Sequence, residues 1–528
     1  MTTPDAPPLD AASPAAGGRP RRSTGAARAA ATTLLLIVSG GLACRLGALR
    51  NEWNSDIGGW MLISRLMNEG LRPYVDMWDN KLPPIYWIGQ FYWATGRPHW
   101  AMYLTDAALT VAAALGMAAT LRLAGLRGAV ALAFGGAAVA TSMPFWFPHS
   151  NNVYAAAPFS LGIALVCLGV GRRSRWQVAA TCWAGGLLVG LAAALSGLLA
   201  APAIEGAILA TAAVRARGGR SAALGGYVLG GLTAAGMVLG LAAAGGYLRP
   251  MLDEAVLGAG SYAAGVGTGA YRSPGKVLYD FRDNVARGVV GWLAALLGAL
   301  AVAGRRRRLD PLPRAVATFA VAWFATQVAT TFISGYQFLH YHYLVGWSAG
   351  LLAGAGWLAL AMPRRRPDGL VPGALAALLA LGCVSSVQVF NAYLGLAKAT
   401  RGTKATRLEA LIRARVPADE TILLVDDYVE SVGMMARLPN RPGSRHVLAS
   451  MYEFVPVERA ERAFFARLGR RFLDDLGRNP PDWLVRAEGR DDLLTPEVRR
   501  LYDEVDRNGE YVLYRRARPA ARPTAPGP

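Results

Sequence analysis

Long apolar segments fill most of the chain between residues 30 and 393 and limit what it can fold into. A helix rises 1.5 Å per residue, so about twenty apolar residues cross a hydrocarbon core of roughly 30 Å. The chain has 528 residues, of which 53% are hydrophobic and 61 are glycine. The pattern predicts a polytopic bundle of about eleven helices, near residues 30–49, 101–121, 128–147, 153–171, 177–195, 198–214, 222–246, 286–304, 314–334, 341–362 and 370–393.

Short runs of arginine occur before the first of these helices and at every second connection after it. Cytoplasmic loops are enriched in Lys and Arg, so these runs predict an N-terminus inside and, with an odd number of crossings, a C-terminus outside. The same distribution accounts for the formal net charge of +20 better than nucleic-acid binding does. The connections predicted to lie outside are 50–99, 147–152, the turn near Ser196, 247–285 and 335–340.

Changes in composition divide the chain into four regions. Residues 1–29 are predicted to be a disordered basic cytoplasmic tail rather than a cleaved signal peptide, and 30–393 to be the transmembrane domain with its outer loop 50–99. Residues 394–517 predict a small extracytoplasmic α/β domain, and 518–528 a second disordered tail. The fold class is therefore mainly α, a transmembrane helical bundle with a C-terminal α/β domain.

The spacing of apolar residues predicts individual helices and strands within these regions. The C-terminal domain has predicted strands at 421–425, 481–485 and 511–514 and a predicted helix at 455–476. The aromatic segment 84–95 is too short to span a membrane and predicts an interfacial helix. The four cysteines lie in apolar segments without the spacing of a zinc site or a disulfide framework.

Residues 51–86 are polar, acidic and aromatic, whereas most of the next three hundred residues are Ala, Leu, Gly and Val. Apolar side chains recur at helical spacing from Trp60 to Met67, and Gly70 ends the pattern. Asp56 is thus predicted at or near the N-terminus of a helix, where free N–H groups and the helix dipole favour a carboxylate. Simple capping is one interpretation, and a catalytic acid is the other.

The next segment, 72–84, places acids, an amide and a lysine beside aromatic rings. Such a mixture is suited to holding a sugar or a phosphate, although for the aromatic residues alone an interfacial membrane belt is the favoured explanation. Its candidate binding residues are Tyr74, Asp76, Trp78, Asp79 and Lys81.

Ionisable side chains at membrane depth are costly, and each therefore raises a functional hypothesis. Asp106 lies about one turn into the second predicted helix, where it is either a second functional acid or an acid paired with a nearby arginine. Glu205, in the sixth, is interpreted as structural. The segment 149–152, His-Ser-Asn-Asn, could bind a pyrophosphate, a metal or a sugar, or form a turn in which Asn152 caps the next helix.

A late segment holds two histidines directly before a predicted helix. In an extended conformation the side chains of His340 and His342 lie on one side, where they could bind a metal, but recognition of a phosphate ester is favoured. Arg272, in the connection 247–285, adds a cation, with a solvated loop as the alternative. The sequence contains no GxSxG, P-loop or HExxH motif, and soluble-enzyme functions are not supported.

These residues resemble the C-type membrane glycosyltransferases. The resemblance is carried by Asp56, by the run Glu69-Gly70-Leu71-Arg72-Pro73-Tyr74-Val75-Asp76-Met77-Trp78-Asp79-Asn80-Lys81-Leu82-Pro83 and by His342-Tyr343-Leu344, and it extends over 30–393. More narrowly, the chain is similar to bacterial protein O-mannosyltransferases and to the aminoarabinose transferases that modify lipid A.

The resemblance implies inverting transfer of a sugar from a polyprenyl-phosphate donor to a lipid, protein or glycan hydroxyl on the outer face of the bacterial inner membrane. It implies that Asp56 is the general base and that Lys81, His342 and Arg272 neutralise the leaving phosphate. Tyr343 and the candidates of segment 72–84 would complete the donor site, and Asp106 would be a second acid near a metal or the acceptor.

The chain departs from this pattern at two places. Ile57 follows Asp56 where many relatives have a second acid, and Asn151 and Asn152 stand where some relatives have an acid. No cofactor is certain and a divalent metal remains possible. A non-catalytic carrier, flippase or pseudoenzyme is the alternative function, and a secondary transporter fits less well because no internal repeat is evident.

Overall fold

The structure, a computed structural model, describes residues 55–77, 79, 81–142, 145, 150–172, 174–212, 219–257, 274–333, 339–361, 404–425, 431–444, 476–488, 500–507 and 510–517. The first and last predicted membrane helices, both predicted tails and all but the last residue of the predicted helix 455–476 lie outside these residues.

Every membrane helix predicted between residues 101 and 362 is present, and two further helices precede them. Seven are long and apolar enough to cross a membrane, and the chain is a multi-pass membrane protein. The helices are α1 Ser55–Asn68, α2 Pro84–Ala94, α3 Pro98–Leu123, α4 Gly128–Ser142, α5 Asn151–Val170, α6 Arg175–Leu195, α7 Ala200–Ala212, α8 Gly219–Ala244, α9 Leu248–Met251, α10 Pro274–Arg287, α11 Val289–Arg305, α12 Pro311–Ile333 and α13 His342–Ala361.

The helices differ in how much of their surface other helices cover. Helices α5 and α13 are mostly buried and form the centre of the bundle, whereas α8 and α11 are mostly exposed. The exposed side chains of the outer helices are apolar, for example Leu232 at 63% and Leu297 at 66% exposure. Exposed leucines on the outer helices are expected where these helices face lipid, because lipid tails do not penalise apolar surface.

Small residues allow the central helices to approach closely. A Cβ atom on Gly186 of α6 would lie 2.0 Å from the carbonyl oxygen of Tyr227 on α8. On α13, a Cβ atom at Gly350 would lie 2.4 Å from the Cα atom of Ala138 on α4. In membranes such contacts replace the hydrophobic effect as the source of helix association, since lipid and protein interior are equally apolar.

Short helices occupy the connections predicted to lie outside. Helix α1 follows the predicted apolar spacing and stops before Gly70, whose φ of 90° is a left-handed conformation. Helix α2 matches the predicted segment 84–95. At 11 residues it is about 16 Å long, half the thickness of a bilayer core. The sequence missed α9, which continues into a turn of π-helix at Leu252–Leu257, and the amphipathic α10.

The C-terminal region forms a four-stranded sheet with order β1-β2-β4-β3. Strands β1 and β2 are parallel, with Ile422 opposite Trp483, and β2 and β3 each pair antiparallel with β4. The three predicted strands are present, whereas β3 and both helices were not predicted. The elements are α14 Lys404–Arg415, β1 Ile422–Val425, α15 Ser431–Arg437, β2 Trp483–Ala487, β3 Tyr502–Arg507 and β4 Tyr511–Arg516.

This C-terminal domain packs directly on α1. One apolar cluster runs from Leu62 of α1 to Leu408 of α14 and Met434 of α15. At its edge Arg65 donates hydrogen bonds to the carbonyl oxygens of Leu438 and of Asn440, the latter at 2.8 Å. The helix that begins beside Asp56 is therefore held at its other end by the last domain of the chain.

Candidate functional site

Asp56 lies in the first turn of α1, one residue after the helix begins at Ser55. This agrees with the predicted position at a helix N-terminus, where backbone N–H groups favour a carboxylate. The side chain of Asp56 lies outside the described residues. Ile57 and Trp60, which follow it, are 2% and 1% exposed and anchor this turn in the protein interior.

The segment after α1 folds into a compact turn. The backbone N–H of Arg72 donates to the carboxylate of Asp76 at 2.8 Å, and the guanidinium Nε of Arg72 lies 3.5 Å from the same oxygen. Within this turn Tyr74 has a φ of 64°, the one positive value among the described non-glycine residues. Asp76, predicted to bind the donor, thus has a structural partner in Arg72.

Lys81 and Asp79 form an ion pair at the end of this turn. The ammonium nitrogen lies 3.6 Å from Asp79 Oδ1, with the side chains 17% and 1% exposed. The hydroxyls of Tyr74 and Tyr86 both donate to the carbonyl oxygen of Lys81, that of Tyr86 at 3.1 Å. Three predicted binding residues, Tyr74, Asp79 and Lys81, are therefore brought together.

Both tyrosine hydroxyls next to Lys81 remain protonated at neutral pH. Burial, followed by the nearby carboxylate of Asp79, raises the pKa of Tyr74 and of Tyr86 well above the usual value. The phenols therefore act only as hydrogen-bond donors toward the Lys81 backbone. This fixes the backbone from which the ammonium group extends.

Asp106 lies at the centre of a second cluster, next to α1. It is fully buried on α3 and close to the hydroxyls of Tyr92 on α2 and Tyr154 on α5. The ring of Tyr154 lies 6.1 Å from that of Trp60, one turn along from Asp56. The structure thus places Asp106 among tyrosines, beside the first turns of α1.

His342 lies in a third environment, at the first residue of α13. Its side chain is 0% exposed, with ring centroids 5.4 Å from Phe145 and 6.0 Å from Phe281 of α10. Tyr343 is also 0% exposed and packs 6.2 Å from Trp347. Both predicted donor-binding residues are therefore buried against aromatic rings.

The predicted cap at Asn152 is wrong. Helix α5 begins at Asn151 with Ser150 as its N-cap, and Asn152 lies inside the first turn. Its side chain instead makes two long-range hydrogen bonds. Nδ2 donates to the carbonyl oxygen of His340 at 2.8 Å, and Oδ1 accepts from the hydroxyl of Ser196 at 2.6 Å. Neither partner could be found from local sequence patterns.

Several connections predicted to lie outside meet in the structure. Asn152 joins the 147–152 connection to Ser196 and to the 335–340 connection. Tyr247 packs on Tyr74 with ring centroids 6.0 Å apart, which joins the 247–285 connection to the 50–99 loop. These contacts place the predicted outer connections at one end of the bundle.

Two predicted site residues, Trp78 and Arg272, and also His149, lie outside the described residues. Within the part of the chain that the structure describes, no group of three or more His, Cys, Asp or Glu residues is arranged to hold a metal ion. Glu205, interpreted as structural, accepts a hydrogen bond from Thr326 of α12.

The chain shares its fold with a solved membrane protein of the group that the sequence resembles, and the resemblance is confirmed at the level of the fold. The chain is similar to ArnT from Cupriavidus metallidurans bound to undecaprenyl phosphate, with a TM-score of 0.58 and 17% identity, over 93% of this chain and 98% of that chain. The apo state of ArnT gives the same values.

Lower similarity extends to the arabinofuranosyltransferase AftD from Mycobacteria, with a TM-score of 0.49 and 13% identity over 93% of this chain and 41% of that chain. No protein-family model matches the sequence, and no curated protein matches it.

Proposed function

We propose that this protein is an inverting glycosyltransferase that moves a sugar from a polyprenyl-phosphate donor to an acceptor hydroxyl. The observation that carries the proposal is the shared fold, over nearly the whole length of both chains, with a protein that binds undecaprenyl phosphate. Two features of the site support it: the position of Asp56 at the start of α1, and the Asp79–Lys81 ion pair in the segment that follows α1. The fold alone does not specify chemistry, so the residues carry the mechanism.

In the proposed reaction Asp56 acts as general base. The acceptor oxygen attacks the anomeric carbon of the donor while its proton passes to the Asp56 carboxylate. The bond between the anomeric carbon and the phosphate oxygen breaks with its electron pair, which leaves polyprenyl phosphate. A single displacement of this kind inverts the anomeric configuration.

The leaving phosphate gains negative charge, and positioned cations lower the energy of that step. Lys81 is a described cation of the motif, and its backbone is fixed by Tyr74 and Tyr86. Arg272 and His342 are proposed as further partners of the phosphate. Since the His342 side chain is fully buried, direct contact with a phosphate requires a group that covers it to move away.

We place this activity in the bacterial inner membrane, with the site and the C-terminal domain on the extracytoplasmic side. The runs of arginine support that orientation, since they lie on the connections opposite to those that meet around Asn152 and Tyr74. The acceptor hydroxyl belongs to a lipid, a protein or a glycan, and the transferred sugar is a hexose or a pentose.

A purified-protein assay with a polyprenyl phosphate radiolabelled in its sugar tests the proposal. We expect the wild type to consume the donor and to place the label in a new glycoside of inverted configuration. Replacement of the proposed base, Asp56→Asn, should slow turnover by about 100- to 10,000-fold. The matched control is Asp283→Asn, which removes an exposed carboxylate of α10 that pairs with Arg287, and it should keep wild-type turnover.

Two outcomes would contradict the proposal. Full turnover in Asp56→Asn would remove the base from the mechanism. Binding of the donor without consumption, across hexosyl and pentosyl donors and with or without added divalent metal, would favour a carrier or pseudoenzyme instead.

A further inference from the structure

Asn152 makes the hydrogen bonds that tie three separate connections together. Its side chain is 1% exposed, and Ser196 is equally buried. The two bonds span 44 and 188 residues of sequence, from the start of α5 to the end of α6 and to the turn before α13. A buried polar side chain whose two ends each contact a different chain segment fixes those segments relative to one another.

The chemistry of these bonds requires an amide. The carbonyl oxygen of His340 only accepts, so the group that faces it must donate, and Nδ2 of Asn152 does so. The opposite oxygen, Oδ1, only accepts, and the Ser196 hydroxyl donates to it. An ionised carboxylate would satisfy Ser196 but would direct a second acceptor at the His340 carbonyl.

The hydrogen bond from Asn152 to His340 lies directly before the first turn of α13. His340 belongs to a single turn of 3₁₀-helix, Leu339–Tyr341, and His342 follows immediately as the first residue of α13. The position of the His340 carbonyl therefore sets where α13 begins and where the His342 ring lies between Phe145 and Phe281.

We infer that Asn152 is the positioning residue that holds the His340–His342 segment in place. The inference deepens the proposed function, because it rests on that proposal for the role of His342 at the donor phosphate. It also gives a reason for an amide at this place, where some of the proteins that this chain resembles carry an acid. In this chain the Asn152 side chain positions the neighbouring segments through its hydrogen bonds with the His340 carbonyl and the Ser196 hydroxyl.

Hydrogen exchange of the full-length protein in detergent tests the positioning role without reference to activity. In Asn152→Asp we expect the peptide covering residues 339–343 to exchange about ten-fold faster than in the wild type, since the bond to His340 is lost. The control Asn68→Asp makes the same chemical change at an exposed asparagine at the end of α1 and should leave this peptide unchanged. Equal exchange in Asn152→Asp and the wild type would overturn the inference.

A second pair of variants covers the case in which Asn152→Asp does not fold. Ser196→Ala removes only the bond to Oδ1 and should raise exchange at 339–343 by about three-fold. Ser160→Ala removes another buried hydroxyl, on α5 itself, and should have no effect there. An equal response in both serine variants would also overturn the positioning role.

Binding of undecaprenyl phosphate separates this inference from the proposed function. If both hold, Asn152→Asp weakens binding by about ten-fold and Asn68→Asp does not. Faster exchange together with unchanged binding overturns the link to the donor site. A wild type that binds no undecaprenyl phosphate contradicts the proposed function, while the exchange data still decide whether Asn152 positions this segment.

Discussion

The ammonium group of Lys81 lies 3.6 Å from a carboxylate oxygen of Asp79, and the Asp79 side chain is 1% exposed. Replacement of one member of a buried charge pair is costly, because the remaining charge loses a partner that offset its desolvation. Lys81→Met should therefore lower the free energy of unfolding by about 1–3 kcal/mol. Because the proposed function also uses this cation at the leaving phosphate, turnover should fall by about 100-fold.

The double variant Lys81→Met/Asp79→Asn separates these two effects. Removal of both charges should restore most of the stability, since no unbalanced carboxylate remains in the interior. Turnover should stay low, because the cation is still absent. Recovery of turnover in the double variant, measured with the labelled donor, would show that Lys81 acts only through Asp79.

The environment of Asp106 predicts how two substitutions of this residue, one polar and one apolar, affect the stability of the protein. An asparagine at this position keeps an oxygen that can accept a hydrogen bond from the Tyr154 hydroxyl, whereas a leucine does not. Asp106→Asn should thus keep the thermal midpoint close to that of the wild type, and Asp106→Leu should lose about 1–3 kcal/mol of stability. If Asp106 is the second acid of the site, turnover falls in both variants. Turnover like that of the wild type in Asp106→Asn would assign Asp106 a structural role.

Arg65 connects the C-terminal domain to α1, and its loss should loosen that contact. Arg65→Met removes two donors from the carbonyl oxygens of Leu438 and Asn440, which should make the domain about ten-fold more sensitive to protease. The control Arg287→Met breaks an exposed ion pair on α10 and should have little effect. Equal proteolysis of the two variants would show that the apolar contacts alone hold the domain.

Glu409 should make the stability of the C-terminal domain depend on pH. Burial alone would raise the pKa of Glu409, but the guanidinium groups of Arg437 and Arg413 outweigh it, so the pKa lies below the usual value of 4.5. A lowered pKa in the folded state means that the stabilisation is present above pH 4.5 and is lost as the pH falls further. The difference in thermal midpoint between wild type and Glu409→Gln should be largest near neutral pH and should shrink below pH 4.5. A difference independent of pH would contradict this.

The contact between α6 and α8 gives a prediction that does not involve the site. Gly186→Ala places a methyl group against the Tyr227 carbonyl oxygen, where a Cβ atom would lie at 2.0 Å, so α6 and α8 must move apart. We expect a loss of about 1–3 kcal/mol. Gly236→Ala is the matched control on α8, because a Cβ atom there has no neighbour within 4 Å. Equal thermal midpoints for the two variants would contradict the close packing.

The helical bundle was predictable because each membrane helix is a long run of apolar residues that are adjacent in the sequence. Twenty apolar residues leave few alternatives to a membrane helix, and every membrane helix predicted between residues 101 and 362 is present. Helix α10 was missed because its many charged residues, for example the Lys276–Asp280 pair at one turn's spacing, break the continuous apolar run by which the membrane helices were predicted. Strand β3 was missed because an edge strand such as Tyr502–Arg507 keeps most of its side chains exposed and lacks an apolar alternation.

The sequence predicted residues of the candidate site but not how they are arranged in space. Sequence patterns indicated Tyr74, Asp79 and Lys81, which one motif places close together. They did not indicate that Asn152 contacts His340 across 188 residues, since that contact depends on how the helices pack. Nor did they indicate the left-handed backbone of Tyr74, which the surrounding turn imposes.

The packing of the C-terminal domain on α1 also has a consequence for how the protein is made. Arg65 and Leu438 are separated by 373 residues, so the ribosome must continue for roughly 20–75 s after α1 is synthesised before its partner exists. During that interval the apolar face of α1 that later contacts α14 and α15 is uncovered. A nascent or truncated chain that lacks this α/β domain should therefore be a substrate for chaperones and proteases until the domain has been synthesised.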